Sequence, residues 1–156
     1  MNTFLEKLRE EAKRPTPKDK ATGLPKRYVA GLSPNQKKKQ IEEIEKTKEI
    51  YKTTGKVETR EKVGGKSRRS PFVKKFETKY GFPITDLQKV KSEFPHTDVD
   101  TILRKGRGAY ASSGSRPNQT PDSWAYARLA SVLTGGKAMA VDKDLIGKSD
   151  FQKILS

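Results

Sequence analysis

Residues 64–67 read GGKS, which is how a phosphate-binding P-loop ends: two glycines, a lysine for the phosphates and a hydroxyl for a magnesium ion. The first glycine of that motif would fall at Arg60, and no apolar strand precedes it. A second stretch, GGKA at 135–138, lacks both the upstream glycine and the terminal Ser or Thr. His96 is the one histidine, and no nucleophile stands at a convincing spacing from it. The chain has no cysteine, and its aspartates show no metal-ligand spacing. These residues lead us to expect no catalytic residue, no metal site and no cofactor.

The remaining stretch with chemical potential is SSGSRPN, 112–118. Ser112, Ser113 and Gly114 suit tight turns with exposed amides, Pro117 stiffens the backbone at the loop's end, and Arg116 and Asn118 add a cation and an amide. Two readings stay open. In one, the loop is rigid and stitched by its side chains, with Arg116 and Arg128 held by carbonyls or by Asp122, Asp142 or Asp144. In the other, the serines, the glycine amide and Arg116 form a nest for a phosphate.

Charge favours polyanionic partners. The 156 residues carry 34 Lys and Arg against 19 Asp and Glu, a formal net charge of +15. Such a field attracts nucleic acid at range without specifying a fold. The excess is greatest toward the N-terminal half and culminates between Lys52 and Lys75, in the run TTGKVETREKVGGKSRRSPFVKK. That run shows no buried periodicity and reads as a flexible basic strap. Lys66, Arg68, Arg69, Lys74 and Lys75, backed by Arg104, Lys105 and Arg107, are the expected phosphate contacts.

The elements that must position these residues are helical, so the fold class is mainly α: a small helical core with an extended basic N-terminal arm and linkers. Asn2 or Thr3 caps a short first helix that Pro15 and Pro17 end. Ser33, Pro34 and Gln36 form a capping box and open a helix to about Thr54, stopped at Gly55. Ser70-Pro71 opens another, with Phe72, Val73, Phe76 and Tyr80 at helical spacing up to Gly81. Thr85 and Gln88 start the next, around Leu87, Val90 and Phe94. Thr97 caps a third short helix, which ends at Gly106.

The last two helices and their Pro-His turn invite a helix-turn-helix reading with residues 98–105 as recognition helix. Asp98 and Asp100 at its N-terminus argue against that role, because they would repel phosphates. Thr120, Pro121 and Asp122 open a nearly all-apolar helix, SWAYARLASVLT, which is expected to be buried around Trp124 and to end at Gly135-Gly136. The expected organisation is an arm at 1–32, a basic helix and strap at 33–69, a compact core at 70–147 and a tail at 148–156. With hydrophobic residues at 31% and no long apolar run, no membrane span or signal peptide is expected.

The run GRGAYASSGSRPNQTPDSWAYARLASVLTGGKAMAVDKDL resembles the signature of an uncharacterised family found in tailed bacteriophages and large double-stranded DNA viruses, including algal ones. KRYVAGLSPNQKKKQIEEIEKTKEIY and SRRSPFVKKFETKYGF resemble the same family's N-terminal half, so the likeness covers roughly residues 16–145. The resemblance implies a viral origin and supplies no catalytic residues. The expected function is a non-enzymatic basic viral protein, a capsid or capsid-associated component of the virion, present in the host cytoplasm during assembly. Its expected partners are other virion proteins and nucleic acid, met mainly through phosphates. A DNA-binding accessory or regulatory protein of the infected cell is the alternative, and a nucleic-acid-processing enzyme the third reading.

Overall fold

The computed structural model describes residues 4–13, 17–20, 23–65 and 69–156. Lys66 and Arg68, the Asn2 or Thr3 cap and the Pro15 stop lie outside the described residues. Helices account for most of the described chain: α1 Phe4–Lys13, α2 Lys26–Val29, α3 Pro34–Thr54, α4 Pro71–Tyr80, α5 Leu87–Glu93, α6 Val99–Ser112, α7 Pro121–Leu133, α8 Lys137–Val141 and α9 Lys148–Leu155. A 3-10 turn, Lys143–Leu145, precedes α9. The mainly α class is therefore observed. Among the described residues, extended pairing is limited to the bridges Lys18–Pro25 and Thr97–Ile146.

Local chemistry explains most of the boundaries. Ser33 Oγ accepts from the Gln36 N–H at 3.3 Å, and Gln36 Oε1 accepts from the Ser33 N–H at 2.9 Å, which completes the expected capping box of α3. Gly55 and Gly81 close α3 and α4 in the left-handed conformation that glycine adopts without penalty. Thr120 and Ser123 exchange backbone-to-hydroxyl hydrogen bonds, both 3.0 Å, at the start of α7. At its end the Gly136 N–H reaches the Ser131 carbonyl at 2.7 Å, a Schellman turn with Gly135 at φ +80°.

Several boundaries differ from expectation. Pro71 does open α4, yet Ser70 makes no side-chain capping bond. Asp86, not Thr85, caps α5, by accepting from the Lys89 N–H. At α6 the cap is Asp98, not Thr97: its carboxylate accepts from the Thr101 N–H at 3.1 Å and hydroxyl at 2.8 Å. The Thr101 hydroxyl and then its N–H hold the Asp98 carboxyl below the usual carboxylate range. Nor does Gly106 stop α6, which runs on to Ser112. Buried Tyr110 and Ala111 continue the apolar stripe of Ile102 and Leu103, so burial offsets the roughly 1 kcal/mol that a helical glycine costs.

The chain divides into two compact units, and the division follows space rather than sequence. The first comprises α1, residues 69–105 and residues 125–156; the second is drawn from the described residues of 15–68 and 106–124. A division at 68–69 stays within one residue of the expected boundary at 69, whereas those expected at 32 and 147 give way to divisions at 14–15, 105–106 and 124–125. Residues 148–156 are no tail, because α9 buries Ile154 in the apolar cluster and Asp150 beside it.

The first unit has an apolar core of Phe76, Ile84, Val90, Phe94, Ile102, Leu129, Leu133 and Met139. Its aromatic rings meet edge to face: Phe76 with Phe82 at 5.3 Å and Tyr80 with Phe94 at 5.2 Å. The Tyr80 hydroxyl donates to the Leu133 carbonyl at 2.8 Å. α7 contributes Ala125, Leu129, Ala130, Val132 and Leu133 to burial, but Trp124 is only partly buried, which corrects its expected central place. Trp124 lies in the first turn of α7, and the buried arc begins one residue later.

Candidate functional site

In the second unit the signature loop and the basic run meet. After α6 the N–H groups of Ser113 and Gly114 both donate to the Ala109 carbonyl, at 3.0 and 3.3 Å. Gly114 has φ +127°, and a Cβ there would stand 2.8 Å from Cε2 of Tyr28, so both backbone angle and space require glycine. Asn118 adopts φ +63°, a left-handed conformation that asparagine tolerates. Its amide then serves as a peptide mimic: Oδ1 accepts from the Val63 N–H at 2.9 Å and Nδ2 donates to the Gly64 carbonyl at 2.8 Å.

At the centre of this unit is Arg60, which is 5% exposed. Its Nη1 donates to Thr47 Oγ1 and to the Tyr110 carbonyl, both at 2.9 Å, and its Nη2 to Ser115 Oγ at 2.7 Å. The guanidinium carbon sits 3.6 Å from the centre of the Tyr110 ring, and the Arg60 N–H donates to the Tyr110 hydroxyl at 2.8 Å. Buried Gln40 donates to the carbonyls of Tyr28 and Ser115, and buried Glu43 accepts from the Glu61 N–H at 2.7 Å. Burial pulls the Arg60 pKa below the free guanidinium value, opposed by Tyr110, Tyr28 and Glu43.

Residues 55–65 thus hold buried anchors in Arg60 and Val63, correcting the expectation of a run without buried side chains. The loop is stitched from within. Gly114 and Ser115 are buried, the Ser113 and Gly114 amides serve the Ala109 carbonyl and the Ser115 hydroxyl serves Arg60, contacts that belong to the rigid-loop reading. Ser112 and Ser113 are exposed, and Arg116 is half-buried. Arg128 does pair with Asp142, bidentately: Nε to Oδ2 at 2.8 Å and Nη2 to Oδ1 at 2.7 Å. Asp122 instead pairs with Arg107 at 2.8 Å.

The remaining expected phosphate contacts separate into engaged and open cations. Arg69 is paired with Glu77, and Lys105 lies 4.0 Å from the buried Asp142 carboxylate. Arg104 donates to Thr101 Oγ1 at 3.2 Å. Lys74 and Lys75 are exposed on α4 and make no ion pair among the described residues. Lys79, one turn beyond Lys75, donates to the Ile154 carbonyl at 2.7 Å; burial and then Lys75 lower its pKa. In the stretch expected as a recognition helix, Val99, Ile102 and Leu103 are buried, whereas Asp100, Arg104 and Lys105 are exposed and Asp100 pairs with Lys91.

His96 lines a shallow depression with Gly147, Lys148, Ser149 and Gln152, and its N–H donates to buried Asp150. No three His, Asp or Glu residues gather as a metal site among the described residues. No helix there is long and apolar enough to cross a membrane.

A family model described as a family of unknown function (DUF5824) matches residues 25–150. The chain belongs to that family. The DUF5824 match contains the whole Arg60 network from Tyr28 to Asn118, together with Lys74 and Lys75, whereas Phe4 of α1 lies outside it. No curated protein and no solved structure matches the chain.

Arg60 is the residue whose role the sequence did not signal as a site. Its one mark was the interruption of the P-loop pattern at 60–67, a position where a small residue would be needed and a large one stands.

Proposed function

We propose that the protein is a non-enzymatic, basic component of a virus particle that contacts nucleic acid through its phosphates and neighbouring virion proteins through the rest of its surface. The observation that carries this reading is the sorting of charge. Among the described residues Glu43, Asp142 and Asp150 are drawn inside and hydrogen-bonded while nearly all the lysines stay at the surface, so the positive excess of the sequence is carried on the outside. Lys74 and Lys75 stand open on α4. The viral setting is supported by the resemblance of the 106–145 stretch to its viral family.

The test is the salt dependence of binding to a DNA duplex. Four to six phosphate contacts weaken binding by roughly two to three orders of magnitude between 50 and 200 mM salt. Replacing Lys74 and Lys75 together by alanine lowers the slope of log affinity against log salt by about 2. A flat salt response refutes the phosphate reading. Presence in purified particles at a fixed copy number separates a virion component from an accessory DNA-binding protein of the infected cell.

A further inference from the structure

Two phenylalanines stand out from the apolar core of the first unit. Phe4 opens α1 with 50% of its surface exposed, and Phe72, at the second position of α4, is 36% exposed. Both rings rest on one corner of the chain. A Cβ at Gly135 would meet Phe4 Cε1 and Cζ at 3.7 Å, and one at Gly136 would meet Phe72 Cε1 at 2.8 Å. The Schellman bond from Gly136 to Ser131 fixes that corner, so the rings have a rigid floor.

Cations follow Phe72 along α4. Lys75 comes three positions after Phe72 and so shares its face of the helix, and exposed Lys74 lies further round the same exposed side. Across this exposed face, Pro71, Phe72, Lys74, Lys75, Thr78 and Lys79, there is no acid. The patch therefore offers flat apolar surfaces next to open positive charge.

We infer that this corner is a stacking platform for single-stranded nucleic acid, with bases on the Phe72 and Phe4 rings and phosphates at Lys74 and Lys75. The inference deepens the nucleic-acid reading above and rests on it. A phenylalanine has no donor or acceptor with which to read a base edge, so it gains only by covering its face. Unpaired bases supply such a face in any sequence. A duplex keeps its bases stacked on one another and would have to be opened to provide one. An acidic protein surface would answer the lysines and leave the rings without a specific partner.

The experiment measures binding of the full chain to labelled oligothymidylate and to a duplex of equal length. The wild type is expected to bind the single strand more tightly. Phe72→Leu keeps an apolar side chain over Gly136 but removes the flat ring; it is expected to weaken oligothymidylate binding about tenfold while duplex binding and Tm stay unchanged. Phe4→Leu is expected to act in the same direction. Unchanged oligothymidylate affinity in both variants, or equal wild-type affinity for duplex, overturns the stacking site. If Lys74→Ala with Lys75→Ala still lowers affinity in that case, the phosphate reading stands alone. Polyglutamate bound as tightly as oligothymidylate overturns the inference in favour of an acidic protein partner. Failure of the wild type to bind either oligonucleotide overturns both readings.

Discussion

The two units solve the problem of a polar sequence in opposite ways. The first gathers most of the chain's large apolar side chains, with Phe76, Phe94, Ile102, Leu129 and Leu133 fully buried in one cluster. The second has few apolar residues to bury, chiefly Tyr28, Val29, Ile44, Val63 and Tyr110, and fills its interior with Gln40, Glu43, Thr47, Arg60 and Ser115. In the first, stability scales with apolar area removed from water. In the second, it depends on every buried polar atom having a partner, and no unsatisfied buried side-chain atom occurs among the described residues. The second kind of core specifies geometry more strictly, because losing one partner leaves the others desolvated and unpaired.

The sharpest way to break this contrast is a pair of substitutions. Phe76→Ala removes a fully buried ring and is expected to cost about 3 to 5 kcal/mol in denaturant unfolding. Arg60→Met keeps the aliphatic stem but leaves the Tyr110 carbonyl and the Thr47 and Ser115 hydroxyls without their cation, at an expected cost of about 2 to 4 kcal/mol. Hydrogen exchange distinguishes the two: Arg60→Met should deprotect the Glu61 and Val63 amides, which are bonded to Glu43 and Asn118. If Arg60→Met were neutral, the second interior would be held by its few apolar residues after all.

A smaller effect is expected at Gly114. Alanine there must accept φ +127° and a Cβ 2.8 Å from the Tyr28 ring, so Gly114→Ala is expected to cost about 1 to 3 kcal/mol. The loss should track Tyr28 rather than nucleic-acid affinity: the salt slope of binding should stay as in the wild type while Tm falls. A fall in the slope with Tm intact would return the loop to a binding role.

Legibility in the sequence was local. The Ser33 box, the glycine stops at 55 and 81, the Thr120 start and the Gly135-Gly136 end each depend on residues within one or two turns, and each is where the spacing placed it. Arg60 was not legible, because its partners lie 13, 50 and 55 positions away, and a window of nearby residues sees only a basic run. Gly106 was misread as a stop because helix propensity is local, whereas the packing that carries α6 to Ser112 is not. Trp124 was misplaced because an apolar run gives a helix but not the depth of its ends. The open cations were half legible: Lys74 and Lys75 are as exposed as expected, but nothing in the spacing marks Arg107 as the partner of Asp122, 15 residues on.

The smallest effect concerns one of the polar contacts of the apolar unit, where the contrast between the cores is least clean. Burial, and then the negative charge of Glu93, push the Tyr80 phenol from 10.0 up to about 12, and its hydroxyl donates to the Leu133 carbonyl near the end of α7. The folded state therefore favours the protonated phenol more than the unfolded chain does. That contribution is complete below pH 10, where the phenol is protonated in both states, and is lost as pH rises from about 10 to about 12, because the unfolded chain releases its proton first. Tyr80→Phe removes the hydrogen bond while keeping the ring against Phe76 and Phe94, at an expected cost of about 1 kcal/mol at neutral pH. It should also flatten the fall in stability between pH 10 and 12 relative to the wild type. Parallel stability curves over that range would mean that the hydroxyl is solvated, and that the first core is apolar up to its edge.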